Sequence, residues 1–588
     1  LAFSGYVRIG DRVVISLHVV FSVDMVFLDW IVLVSTLLII ILYGVWKSRN
    51  TTNIQGYLLA DKRLPWYHVG LSVMATQASA ITFLSAPGQA YTDGVRFVQF
   101  YFGLPLAMIV LCITFVPAFH RLNVYTAYEY LEKRFDHRTR LFTAFLFLVQ
   151  RGISTGITIY APSLVLSTIL QLPVMWTSVM MSLLVIVYTV SGGTKAVSYT
   201  QLLQMIIIFC GLFLAAGLII SMLPKETGVV NALKVAGKLG KLKAVDTTFD
   251  LNNRYNIWSG IIGGFFLQLS YFGTDQSQVG RYLTGKSVAQ SRLGLVMNGL
   301  IKIPMQFFIL MIGALVFTFY QFQKAPLFFN EVEISRLENS VHKSELNNLQ
   351  QHYDALQEQK QIHVAALVQA TKAREQKKIA ISQKALLHTQ AQMDEVRNDL
   401  KTLIGKNNKL ADADDGNYIF LYFVMHYLPR GVIGLLIAII FLAAMGSTAS
   451  GLNSLASTTV IDFYKRLRPK QRTEKRELSA SRGATVLWGL FCMIVAIFAG
   501  RMGNLIEAVN ILGSLFYGTI LGIFLVAFYM KSVKSNAVLL AACLTETFVL
   551  VSWWREWTSF LWLNLIGCML LMILAWLFEK IKPQKINS

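Results

Sequence analysis

The chain has 588 residues, 55% of them hydrophobic and only 14% charged, with a mean hydropathy of +0.53. Those values exclude an ordinary soluble globular domain and indicate a polytopic membrane protein. The formal net charge of +21 does not signal nucleic acid, because much of the basic charge sits in short loops between apolar runs, where orientation charges belong.

Residues 1–24 lack a clean apolar core and cleavage site for a signal peptide, and read as an extension ahead of a true start at Met25. From there, apolar runs long enough to cross a bilayer number about thirteen. They fall near 26–46, 65–90, 98–119, 141–170, 174–191, 199–222, 258–279, 294–321, 430–462, 482–500, 503–529, 536–553 and 559–578. The second run is unlike the first. In GLSVMATQASAITFLSAPGQAY at 70–91, Ser72, Thr76, Gln77, Ser79, Thr82 and Ser85 interrupt the apolar sequence, and Pro87-Gly88 is expected to end it. Polar or irregular helix is tolerated in a membrane only against protein or a watery cavity, so this span points inward, toward a transported ion or solute.

Further along, Arg151 lies inside the fourth span and Lys302 inside the eighth. Intramembrane charges are functional candidates by default, and either suits an anionic carboxylate. The plainer readings are a structural pair or carbonyl cap for Arg151 and snorkelling for Lys302. Asp275 stands beside Arg281 in sequence and reads as half of a structural ion pair. The span at 258–279 carries Gly260, Gly263, Gly264 and Gly273. LAAMGSTASGLNSLASTTVIDFY at 442–464 is dense in Gly, Ser, Thr and Asn. Close helix packing explains its small residues; a Na⁺ site explains its run of hydroxyls, since unwound transporter helices supply the remaining oxygens as backbone carbonyls.

The loops set an orientation. Lys47/Arg49/Lys62/Arg63, Lys133/Arg134/Arg138/Arg140, Arg281/Lys286/Arg292, KRLRPKQRTEKR at 465–476, Lys531/Lys534 and Lys580/Lys582/Lys585 share one side if the N-terminus is outside and the C-terminus cytoplasmic. The basic loop 223–257 dissents. Residues 331–404 contain no Gly or Pro and have the composition of a soluble helix. A single straight helix of that length would reach roughly 110 Å, so a hairpin is expected, extracytoplasmic by this topology. The five cysteines have no metal-ligand spacing, and no nucleophile–base or paired-carboxylate set appears in the spans. The chain is not expected to be an enzyme.

Five segments carry a family resemblance: GLSVMATQASAITFLSAPGQAY, YAPSLVLS at 160–167, YTVSGGTKAVSYTQLLQ at 188–204, DQSQVGRYL at 275–283 and GSTASGLNSLASTTVID at 446–462. In order and spacing they resemble the sodium:solute symporter family, in wording its monocarboxylate, multivitamin and iodide branch, as a bacterial-type member. The resemblance implies an all-α polytopic fold of the leucine-transporter type. Two inverted repeats of five helices would occupy 65–222 and 258–529, with one helix before and two after. The chain then divides into an extension at 1–24, transporter parts at 25–322 and 417–579, a helical insertion at 323–416 and a cytoplasmic tail at 580–588.

Carried over by position, the family's common Na⁺ site uses the carbonyls of Ala75, Ala78 and Ala443 and the hydroxyl of Ser447. Gly446 stands where a second hydroxyl is usual, and Gln201 where many members have an Asp linked to a second Na⁺, so a single strong Na⁺ site is expected. The implied solute contacts are Ser79, Thr82, Tyr101, Ser154, Gln268 and Lys302, and Tyr271 matches an aromatic that covers the site from inside in sugar members; Arg151 joins these candidates as an intramembrane charge. With Tyr101 where the sugar branch has a Glu, a hexose is disfavoured. The expected function is Na⁺-coupled import of a small organic solute, a carboxylate among the candidates, across the plasma (inner) membrane by alternating access. The alternative is a sensor or interaction protein on a transporter fold, engaging a protein partner through the 331–404 arm.

Overall fold

The computed structural model describes residues 25–48, 60–122, 124–408, 411–465 and 474–581. The 1–24 extension, Arg49, most of the 465–476 basic cluster and the tail beyond Ile581 lie outside the described residues. Apart from an isolated bridge between Leu64 and Gly285, the described residues are helix and loop.

Ten helices are long and apolar enough to cross a membrane, and an eleventh span is a pair bent by 59°. That pair is α2 (Trp66–Gln77) and α3 (Ala80–Asp93), which follow α1 (Phe27–Ser48). Next come the span α4 (Val95–Leu122) and α5 (His137–Leu170). Helix α6 (Val174–Met222) holds two apolar stretches, Val174–Val190 and Ala196–Met222. Tyr188 and Thr200, twelve residues apart in the chain, meet through their hydroxyls at 3.0 Å. A straight helix would part them by about 18 Å, so α6 folds over between the two stretches, which act as separate spans.

The second half repeats the plan. A π-turn at Ser259–Gly263 leads into α8 (Gly264–Thr274), the helix breaks at Asp275, and α9 (Gln276–Tyr282) continues. Then follow α10 (Val288–Phe322), α11 (Glu331–Glu338), α12 (Lys343–Ala373), α13 (Gln376–Asn407), α14 (Val432–Thr458), α15 (Glu474–Phe498) and α16 (Leu505–Tyr529). Helices α17 (Ser535–Trp554) and α18 (Phe560–Ile581) end the bundle. Each half therefore opens with a broken span, as the leucine-transporter type requires.

Burial orders the bundle. The apolar window within 432–464 is 89% buried, whereas that of Phe27–Gly44 is 22% buried. The hydroxyl-bearing helix α14 is thus the central one, touching α5, α6, α2 and α3, while α1 packs on α6 and α14 with most of its surface open. Its small residues serve close packing: a Cβ on Gly451 would sit 2.5 Å from the Thr155 hydroxyl.

Pro87-Gly88 does not end its span. Helix α3 runs through Pro87 to Asp93. A proline forfeits one backbone hydrogen bond, a loss that membrane helices absorb where neighbours pack tightly. Here the backbone of Gly416 lies against Gly88, and Gly313 lies against the Pro87 carbonyl, each too close for a Cβ. The break comes earlier, at Ala78–Ser79.

The segment expected to fold back does so. Helices α12 and α13 form a hairpin that turns at Arg374, which has φ +58°. It lies down on the bundle. Val364, Leu367 and Val368 pack with Val235 of the short helix α7 (Val229–Lys238). The Lys360 ammonium donates to the Tyr320 carbonyl at 2.8 Å, satisfying one of the free carbonyls at the end of α10.

Candidate functional site

The α2–α3 break frees particular backbone atoms. In continuous helix the Ala75 carbonyl would accept from Ser79 N–H and the Ala78 carbonyl from Thr82 N–H. Instead Ser79 N–H donates to Gln77 O at 3.1 Å and Thr82 N–H to Ser79 O at 3.0 Å. The carbonyls of Ala75 and Ala78 are left without helical partners, and both residues are buried. Helix α14 passes alongside. There the Ser447 hydroxyl donates to Ala443 O at 2.8 Å and keeps its lone pairs, and Thr448 Oγ1 is buried with no partner among the described residues. These are oxygen donors suited to a hard cation without a carboxylate.

Gln201 stands at the centre of a polar cluster. Its amide nitrogen donates toward Thr76 Oγ1 at 3.2 Å, Ser450 Oγ at 3.1 Å and Gly446 O at 3.3 Å. Its amide oxygen accepts from Ser72 Oγ at 2.6 Å. A neutral NH₂ group thus occupies the centre of an oxygen cluster that ties α2, α6 and α14 together. Beside it the Arg281 guanidinium donates to Ser450 Oγ at 2.9 Å.

A cavity of about 100 Å³ lies against the break. Ser79, Thr82, Tyr101, Arg151, Ser154, Gln268 and Tyr271 line it, as does Ser447. Lys302 does not. It is fully buried in α10, with its ammonium 5.7 Å from the Tyr101 ring centre and no hydrogen-bond partner among the described residues. It therefore does not snorkel, because mid-helix burial leaves its stem no route to the surface. Both amide atoms of Gln268 are buried without partners.

At the floor of the cavity Arg151 pairs with Asp275. Tyr517 Oη donates to the same carboxylate at 2.8 Å, and Asp275 also caps α9 by accepting from Ser277 N–H at 2.8 Å. The partner of Asp275 is thus Arg151 and not Arg281. Asp275 and Arg281 sit at opposite ends of α9, about 9 Å apart along its axis, whereas α5 brings Arg151 directly beneath the break.

Sequence reading missed Thr155, Thr158, Ser277, Asn510 and Tyr517, which also line the cavity, and marked Thr76 and Gln77, lining it too, only as polar interruptions of the inward-pointing span. Helical periodicity carried the signal for some. Arg151, Ser154, Thr155 and Thr158 share one face of α5, and Asn510, Gly513 and Tyr517 one face of α16.

A bundle of spans in which two broken helices meet at a buried polar cavity is the build of a secondary transporter. A family model described as the sodium:solute symporter family matches residues 57–337 and 400–544. The chain belongs to that family and is a Na⁺-coupled solute symporter. Its relatives include the sodium/sialic acid symporter NanT of Aliivibrio fischeri, 24% identical over 95% of this chain and 94% of that protein. The sodium-dependent multivitamin transporter of Oryctolagus cuniculus is 26% identical over 87% of this chain and 65% of that one. Human sodium-coupled monocarboxylate transporter 1 is 32% identical over 46% of this chain and 44% of that one. Among solved structures, a Na⁺-coupled sialic acid symporter in a substrate-bound, outward-open state matches with TM-score 0.72 and 23% identity, covering 94% of this chain and 98% of that one. That likeness is one of fold.

Proposed function

We propose that the chain imports a small carboxylate-bearing solute together with one Na⁺. The observation that carries this is the break at Ala78–Ser79, which leaves the carbonyls of Ala75 and Ala78 without helical partners on a helix packed beside α14, while Ser79, Thr82 and Ser447 line the cavity. Na⁺ would be held by Ala75, Ala78 and Ala443 carbonyls and the Ser447 hydroxyl, from the side facing out, with the N-terminus outside. Bridging the break to α14 completes one wall of the cavity. Each ligand then raises the other's affinity by the same factor. A membrane potential adds about 2.3 kcal/mol per charge per 100 mV to the driving force.

Arg151 is the cationic group in the cavity wall. An entering carboxylate competes with Asp275 for it, which couples occupancy to the brace among α5, α9 and α16. The named substrates of the relatives, sialic acid and monocarboxylates, share that acidic group. Tyr101, Ser154, Gln268 and Tyr271 supply hydrogen bonds and an aromatic face; Lys302 acts from behind Tyr101.

Uptake into proteoliposomes, with an imposed Na⁺ gradient and a panel of labelled carboxylates, sugars and vitamins, tests the reading. The expected result is Na⁺-dependent accumulation of a carboxylate that Ser447→Ala abolishes. Accumulation unchanged in Ser447→Ala, or accumulation of neutral solutes alone, would contradict it.

A further inference from the structure

A second, smaller cavity of about 20 Å³ adjoins the first, and Ser277 lines both. It lies one step along α14. From Ser447 to Asn453 is about 9 Å of helix, in the direction of Asp462, where Arg140 and Glu132 form an ion network. The guanidinium of Arg281 and the amide of Asn453 line it with hydrogen atoms to give, beside Gln276, whose amide is already engaged with Tyr125 O. Arg281 is 3% exposed and Asn453 is 4% exposed. Both amide atoms of Asn453 lack a partner. The serines in the wall are already committed as donors: Ser450 Oγ gives its hydrogen to Gly446 O at 2.8 Å and Ser454 Oγ to Gly451 O at 2.6 Å.

Arg281 is the anomaly. Its guanidinium donates, among the described residues, to the hydroxyls of Ser198, at 3.4 Å, and Ser450, at 2.9 Å, and the phenol of Tyr188 is near it. Among the described residues no carboxylate lies within ion-pair distance of it. A buried charge held only by neutral dipoles is costly, more so within a membrane. A water would fit, since one needs on the order of 10–15 Å³, and would serve Asn453. It would leave the charge on Arg281 unbalanced. A small anion serves both.

We propose that Arg281 and Asn453 form a monovalent-anion subsite on the path from the main cavity toward the Asp462 end of α14. Its occupant is a free halide or the carboxylate of the solute on its way through. The second source rests on the carboxylate reading of the main cavity; the first does not.

The test uses the purified full chain in nanodiscs without Na⁺. The unfolding midpoint is followed against choline bromide and, separately, choline acetate, with ionic strength held by a bulky sulfonate. The expected result is a saturable rise that Arg281→Gln removes and Asn453→Leu weakens at least severalfold in half-saturating concentration. Should Arg281→Gln fail to fold, Arg281→Lys, which keeps the charge, should retain the rise while Asn453→Leu weakens it. A rise with bromide alone identifies the halide; a rise with acetate identifies the carboxylate. No saturable rise with either anion, or one unaltered by the substitutions, overturns the subsite and leaves water as the occupant. Uptake absent for every carboxylate would remove the reading of the main cavity without touching a measured bromide effect.

Discussion

At the scale of single residues, two positions bear on the proposed ion stoichiometry. Gln201 fills an oxygen cluster with a neutral amide, and Gly446 brings no hydroxyl beside Ser447. A Cβ on Gly446 would sit 2.7 Å from Gln204 Oε1, the far end of a flexible side chain. Gly446→Ser therefore adds a hydroxyl once Gln204 swings aside. Na⁺ should then bind more tightly, by on the order of tenfold, as read from a Na⁺ titration of thermal stability. Asp275 is a different case. Asp275→Asn strands the Arg151 guanidinium, and breaking a buried pair from one side costs about 3–5 kcal/mol. A fall in unfolding midpoint should accompany the loss of uptake; an unchanged midpoint would contradict the brace. The identities of these residues were legible in sequence, but their partners were not. Asp275 lies six positions from Arg281 and 124 from Arg151, and only the folded path of α5 decides between them.

At the scale of elements, the broken span was legible as a conflict: a stretch of membrane length with too many hydroxyls for lipid. Where it breaks was less so. Pro87 looks like the stronger interruption, yet helix continues through it, because the diversion of two N–H groups at Ser79 and Thr82 makes the break. The hairpin was readable from composition alone; its docking was not, because the contacts join α12 to a helix more than a hundred residues earlier. Val235→Asp should lift the hairpin. Hydrogen exchange in residues 364–370 should quicken, while the Na⁺ titration stays as it was.

Lys360, in the same hairpin, is buried against the end of α10, and loss of hydration pulls its ammonium down to about 8 from 10.5. The folded state then releases this proton before the unfolded state does. Between pH 8 and 10.5 the unfolded chain holds more protons, so this group makes stability rise with pH across that window. Lys360→Met should flatten that part of the pH–stability curve; an unaltered slope would assign it elsewhere.

For the whole molecule, composition already fixed a polytopic membrane protein, and hydropathy located most spans within a few residues. The two-fold plan had no signature in residue identity. It emerges from the matching positions of two broken spans, α2–α3 and α8–α9, in sets of five. The basic loops propose an orientation with the N-terminus outside. The basic clusters are also structural: the Arg134 guanidinium donates to the carbonyls of Met530 at 3.0 Å and Lys531 at 2.9 Å, closing the end of α16. Positive charge there completes a helix terminus, besides marking the proposed cytoplasmic side.

The central claim is that one Na⁺ bound by Ala75, Ala78, Ala443 and Ser447 organises the cavity. The most direct measurement is equilibrium binding of radiolabelled Na⁺ to the purified chain, alone and against excess K⁺, for the wild type and Ser447→Ala. The transport reading predicts one saturable site per chain, not displaced by K⁺ and lost in Ser447→Ala. Two sites, none, or one that survives Ser447→Ala would contradict it.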